Sequence, residues 1–179
     1  MSVAEPDFIH LRLHTDYSMV DGVVRVNDLI ARAGEQKMPA VAVTDESNLF
    51  GLIKFYSAAR SAGIKPLAGA DLWLESRYLD EPTRLCALIQ NDQGYRNLTV
   101  LLSRAWLENQ HRGRPVVKRE WLEQTHEGLI LLSGARHGEV GQLLLGGRND
   151  EARELARAFN QLAPDRFYLE LQRTERTGD

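Results

Sequence analysis

The side chains best able to do chemistry in this sequence sit at or just past the ends of its apolar runs. The run FIHLRLH, residues 8–14, ends with Arg12 and His14, and the loop TDYSMVDG after it adds Asp16 and Asp21. The short run AVAV, residues 40–43, leads into Asp45 and Glu46, and the run IKPLAGADLWL, residues 64–74, carries Asp71. Arg84 stands at the start of a further run, and Ser133, Gly134 and Ala135 follow another. Arg12 and His14 share one face of the first run, so with the acids they make a candidate polar cluster of the kind found where ligands bind. Polar groups past three successive runs are a stronger sign of a site than any one of them. Each alone also has a plain structural reading. His14 can hydrogen-bond in the core, Asp45 can cap a following helix from the turn TDESN, and Asp71 can be a solvated turn residue.

Two other stretches carry polar chemistry. SGARHGEVG, residues 133–141, sets glycines between a strand and a helix start, as phosphate-cradling loops do. Its spacing matches neither G-x-G-x-x-G nor the P-loop, whose Lys-Ser/Thr it lacks. A tight strand-to-helix turn is the simpler reading. Further on, the cations Arg104, Arg112, Arg114, Lys118 and Arg119 are accompanied by one acid, Glu108. Such a basic contact loop can touch phosphate or an acidic partner, or it can be a solvated surface excursion. Trp106 and Trp121 flank it, and their spacing with Leu102 and Leu122 suits burial on helices.

The elements that must position these residues are legible in the hydropathy pattern. Phe8 to His14 alternates strictly, with Ile9, Leu11 and Leu13 on one face, and predicts a strand. A helix is predicted from about Val26 to Lys37, with Asn27 or Asp28 near its cap and Leu29, Ile30 and Ala33 buried. Ala40 to Val43 predicts a buried strand. Leu49 to Ala62 predicts a helix, with Leu52, Ile53 and Tyr56 at helical spacing, ended by Gly63. The strand from Ile64 to Leu74 contains Pro66, which predicts an interruption or an edge position. A strand from Arg84 to Gln90, a helix from Asp92 to Asn109, the basic loop and a short helix around Trp121 follow. After a strand from Gly128 to Leu132 come a short helix ending near Gly146, an amphipathic helix from Asp150 to Leu162 and a strand from Phe167 to Gln172. Strands alternating with helices mean βα units and a mainly parallel sheet, with ligands at the carboxyl ends of the strands.

Composition limits the function classes. The chain has 179 residues, 43% of them apolar and 26% charged, enough for one globular domain over 1–179 with its own core. A single cysteine, Cys86, excludes an internal disulfide framework and suits a reducing compartment. A net charge of -3 argues against a domain that mainly coats nucleic acid. MSVAEPDF does not read as a signal peptide, and no apolar run approaches the roughly 18 residues of a membrane span. A cytoplasmic location without membrane attachment is the expectation.

Five ordered motifs, FIHLRLHTDYSMVDG, AVTDESNLFGLIKFY, AGIKPLAGADLWL, QNDQGYRNLTVLLS and EGLILLSG, carry a family resemblance. Together they resemble the polymerase-and-histidinol-phosphatase (PHP) domain at the N-terminal end of bacterial replicative DNA polymerases, the DNA polymerase III alpha-subunit family. The resemblance implies an α/β fold, a distorted (β/α)7 barrel of which this chain is the N-terminal portion. It implies that the later barrel strands and the polymerase domains lie outside the chain. Metal-binding members of the family hold a multinuclear site, and this sequence departs from their pattern. By resemblance, Arg12, Glu46, Arg84 and Ala135 stand at ligand positions as non-matching residues. His14 and Asp21 match, and Asp71 is a shortened glutamate. An arginine cannot donate a lone pair to a metal. The expectation is a degenerate site with no metal, in which Arg12 and Arg84 neutralise Asp21, Asp45, Glu46 and Asp71.

The resemblance further implies a structural and docking module. It would bind the proofreading exonuclease subunit and the remaining holoenzyme subunits and reach DNA only through the parent chain. No cofactor is expected for this stretch, whereas the parent polymerase would use Mg²⁺ for nucleotidyl transfer. The alternative is an active metal-dependent phosphoesterase, a 3′–5′ exonuclease or pyrophosphatase, with His14, Asp21, Glu46 and Asp71 holding one Mn²⁺ or Mg²⁺. A nucleic-acid-binding module built on Arg104 to Arg119 is a third, disfavoured by the net charge. The strand from Phe167 to Gln172 presents an uncovered edge in this reading, so self-association is expected. Light scattering checks this, and a monomer at all concentrations would contradict it.

Overall fold

Val26, Leu29, Ile30 and Ala33 recur at the spacing of one helix face, and all four are buried along helix α1 (Val26–Glu35). The computed structural model describes residues 8–172 and resolves the chain into two compact units, Met1–Ala70 and Asp71–Asp179.

In the first unit, α1 is followed by strand β1 (Ala40–Val43), helix α2 (Leu52–Ser61) and the beginning of strand β2 (Lys65–Leu74). Strands β1 and β2 run parallel, with Ala40 opposite Lys65 and Val43 opposite Ala68. All four residues of β1 are buried, the reason it reads as an unbroken apolar run and not as an alternation. Val26, Ile30, Val41, Phe55, Ala59 and Ile64 meet in one core.

Four expectations need correction here. Residues 8–14 do not form a regular strand. The Ala42 N–H donates to the His10 carbonyl (2.8 Å) and the Thr44 N–H to that of Leu13 (2.9 Å), so two residues of β1 face three of this segment. The extra residue breaks the ladder and turns side chains to the other face. Leu11 is accordingly 43% exposed, while Leu13 packs on the core. The N-cap of α1 is Arg25, two residues before Asn27, and Asp28 lies in the first turn, where a carboxylate meets the positive end of the helix. Helix α2 buries Phe55 and Ala59, whereas Ile53 and Tyr56 are exposed. Pro66 does not interrupt β2. The Lys65 N–H donates toward β1, to the Pro39 carbonyl at 2.8 Å. By the alternation of a strand, the nitrogen of Pro66 then points away from β1, where no ladder bond is lost.

The second unit begins with the remainder of β2. It continues through β3 (Thr83–Ile89), α3 (Asp92–Glu108), β4 (Gln110–His111), β5 (Arg114–Val117), α4 (Arg119–Thr125), β6 (Leu129–Leu132), α5 (Glu139–Leu145), α6 (Asn149–Leu162) and β7 (Phe167–Tyr168). The strand order is β4-β5-β2-β3-β6-β7. β5 joins β2 in parallel and β7 joins β6 in parallel, while β3 and β6 are antiparallel. The fold is thus mixed α/β with mostly parallel strands. Asn91 caps α3 by accepting the Gly94 N–H at 3.0 Å. The expected basic loop contains a hairpin, β4 to β5. Arg112 and Gly113, both at positive φ (52° and 79°), form its two-residue turn. Trp121 is buried as expected, but Trp106 is 40% exposed. Among the described residues, no helix is long and apolar enough to cross a membrane.

The two competing faces of α2 make a direct test. Phe55→Ala should lower stability by about 3–5 kcal/mol because its side chain is fully enclosed. Ile53→Ser should change it by no more than about 0.5 kcal/mol. Urea denaturation of the two variants checks both.

Candidate functional site

The residues singled out by the sequence fall in both units. In the first, Thr44 at the end of β1 accepts the Leu13 N–H on its hydroxyl (2.9 Å), which ties the first segment to that strand end. The next residue, Asp45, is 2% exposed. Its carboxylate accepts the Thr15 N–H (2.6 Å), the Thr15 hydroxyl (2.9 Å) and the Ser18 hydroxyl (2.8 Å). Ser18 Oγ in turn accepts the Glu46 N–H at 3.0 Å. Asp45 therefore holds the TDYS turn. It does not cap α2, whose N-cap is Gly51.

That turn presents His14 and Asp21. The Nδ1 of His14 lies 2.9 Å from both carboxylate oxygens of Asp21, with side chains 16% and 46% exposed. The two residues that the resemblance would make ligands thus form a pair with each other. Arg12 lies half-buried on the extended segment, and Asp16 begins the short helical turn Asp16–Ser18. The donors that hold Asp45 are neutral, where the sequence suggested arginine.

In the second unit, Asp71 is completely buried on β2. Arg84 on β3 brings Nη1 to 3.7 Å from an Asp71 oxygen, with the arginine side chain 10% exposed. The same guanidinium lies 3.8 Å from the ring centre of Trp73, which shares the Asp71 face of β2 because alternate residues point the same way. Arg114 approaches that ring as well, at 4.8 Å. The pairing expected of Arg84 with Asp71 is present. Ala135 begins the short helical turn after β6 and is 8% exposed.

The residues present do not suit the multinuclear metal site that the resemblance implies for metal-binding members. A cation at Asp71 would meet a guanidinium that already stands beside the carboxylate and has no lone pair to offer. Ala135 contributes a methyl group. Among the described residues, no three His, Cys, Asp or Glu side chains converge.

The glycine-containing turn after β6 is filled by its own chain. A Cβ on Gly138 would lie 1.7 Å from the Ser133 carbonyl oxygen, and one on Gly141 2.1 Å from that of Ala135. These glycines allow close backbone approach in a tight turn.

The five basic residues do not gather into one patch, although Arg104 and Lys118 share the Trp121 ring. Arg104 pairs with Glu108 (3.5 Å) and lies over Trp121. Arg112 pairs with Glu81 (3.2 Å), and Lys118 also approaches Trp121. Arg119 meets the buried Glu139 and lies over Phe159. Sequence reasoning did not single out Thr15, Ser18 or Glu139. The only signal for the first two was their place in a polar loop, and Glu139 lay within the glycine-containing stretch SGARHGEVG.

Comparison with known proteins gives consistent matches. The PHP domain family matches residues 10–174. The chain is similar to the DNA polymerase III subunit alpha of Pseudomonas fluorescens, 51% identical over 173 residues. It is also similar to that of Escherichia coli strain K12, 46% identical over 178 residues. The alignments cover 96% and 99% of this chain but 15% of each relative. An amidohydrolase from Chromobacterium violaceum, solved with bound sulfate and no metal, shares 24% identity at a TM-score of 0.45 over 54% of this chain and 32% of that one.

Arg84→Met should destabilise the protein by about 3–5 kcal/mol, because it removes the positive charge beside a fully buried carboxylate. Adding Asp71→Asn should recover part of that loss, which a double-mutant cycle by urea denaturation measures.

Proposed function

Because this chain belongs to the PHP domain family, we propose that it serves as the PHP domain of a replicative DNA polymerase alpha subunit. In that role it is non-catalytic, a structural support and a dock for the proofreading exonuclease subunit and the rest of the replication assembly. Nucleotidyl transfer on primed DNA with Mg²⁺ belongs to the remainder of the parent chain, in the cytoplasm.

One observation carries the non-catalytic part of this reading. Arg84, at a family ligand position, pairs with the buried Asp71 and stacks on Trp73. Its fixed positive charge does the neutralising that a cation would do in an active relative, and displacing it would take that charge from beside the buried Asp71. A domain stabilised in this way keeps its shape with no need of metal supply. The docking role is supported by the high identity to polymerase alpha subunits over nearly the whole chain.

Two measurements test the reading separately. After incubation with Mn²⁺ and gel filtration, elemental analysis should find well under one metal per chain. A chromogenic phosphodiester should not be hydrolysed. Stoichiometric metal, with hydrolysis that Mn²⁺ supports and His14→Ala abolishes, would establish the phosphoesterase instead. Calorimetric titration with the exonuclease subunit should give a 1:1 complex, with amide protection marking the surface. Absence of binding would remove the docking role and leave the structural one.

A further inference from the structure

Glu139, the first residue of α5, is 3% exposed. A carboxylate taken this far out of water is costly unless donors meet its oxygens. Oε1 accepts the Ser76 hydroxyl (2.6 Å), the Arg77 N–H (2.7 Å) and the Tyr78 N–H (2.8 Å). Oε2 accepts from Arg119 Nη2 at 2.5 Å. Ser76 Oγ also accepts the Leu79 N–H (2.9 Å), so the donor loop is folded upon its own hydroxyl. None of these residues stands at a ligand position of the family site.

Two consecutive backbone N–H groups, a hydroxyl and a guanidinium are the donors with which proteins hold small oxyanions. We propose that residues 76–78 and Arg119 form an anion-binding cradle for a small carboxylate, which the chain fills with its own Glu139. The void beside Glu139, lined also by Thr83, Ser133 and Phe159, is about 10 Å³. That is room for a single water at most, so an external anion is excluded while Glu139 is in place. By filling the cradle, Glu139 clips the β2–β3 connection to the start of α5. The neighbouring fastenings, Arg77 with Glu154 (3.5 Å) and Arg148 with the Tyr78 carbonyl (3.1 Å), are exposed and correspondingly weaker.

The cradle has a specific chemical test. Glu139→Ala removes everything beyond Cβ, a fragment with the shape and charge of acetate. In the full chain the variant should melt about 10 °C lower, since it strands Arg119 and the two N–H groups. Acetate should then raise its melting temperature by about 4 °C at ten times its dissociation constant. Chloride at equal ionic strength should not, and neither the unsubstituted chain nor the double variant Glu139→Ala/Arg119→Met should respond to acetate. An equal response to acetate and chloride, or none to either, would overturn the proposal. Should Glu139→Ala not fold in buffer, refolding yield becomes the readout. Recovery in acetate but not chloride supports the cradle, and equal failure in both sinks it.

Discussion

A carboxylate can stay charged inside a protein only where donors meet it, and three buried ones organise the parts of this molecule that matter for function. Asp45, Asp71 and Glu139 are at most 3% exposed. Each solves the same problem with a different donor chemistry. Asp45 takes a backbone N–H and two hydroxyls, Asp71 a guanidinium, and Glu139 all three kinds. Because an unmet donor or charge at any of them costs several kcal/mol, each fixes the loop that supplies its partners. The TDYS turn, the facing positions on β2 and β3, and the β2–β3 connection are held in this way.

Under the function proposed, the same constraint would let a PHP-family site give up a metal and keep its architecture. A metal ion and an arginine both supply positive charge to buried acids, but only the metal can activate a water or a phosphoryl oxygen. Replacing one by the other keeps the electrostatic function and removes the chemical one. With Arg84 against Asp71 and Trp73, the second unit holds a cation that is covalently part of the chain. On the reading proposed above, the gain is permanence: a docking module embedded in a large polymerase does not depend on metal occupancy.

Much of the fold was legible because it follows from periodicity alone. The burial of Val26, Leu29, Ile30 and Ala33 on α1 and the limits of β1 needed nothing beyond apolar spacing. Failures came where two patterns competed. Leu52, Ile53 and Tyr56 fit a helix face as well as Phe55 and Ala59 do, and only the core to be filled decides between them. Residues 8–14 alternate perfectly, yet a single extra residue against β1 overrides the alternation and exposes Leu11. The hairpin at Arg112 and Gly113 was hidden by charge, since a basic stretch draws attention to partners and away from turn geometry. The direction of β6 against β3 was equally hidden, because an apolar run looks the same whichever way its neighbour points.

By itself the sequence determined the residue types, so that Arg12, Arg84 and Ala135 offer guanidinium groups and a methyl group where the resemblance implies metal donors. Residue identity needs no coordinates, and an arginine is no metal ligand in any fold. What only the tertiary structure decided is which donor meets which acid. Asp45 and Thr15 are 30 residues apart, and Glu139 and Ser76 are 63 apart. Hydrogen bonds form over about 3 Å, so their partners are set by the path of the folded chain and not by spacing along it. The donors around Glu139 were therefore invisible along the sequence and came together only in the fold.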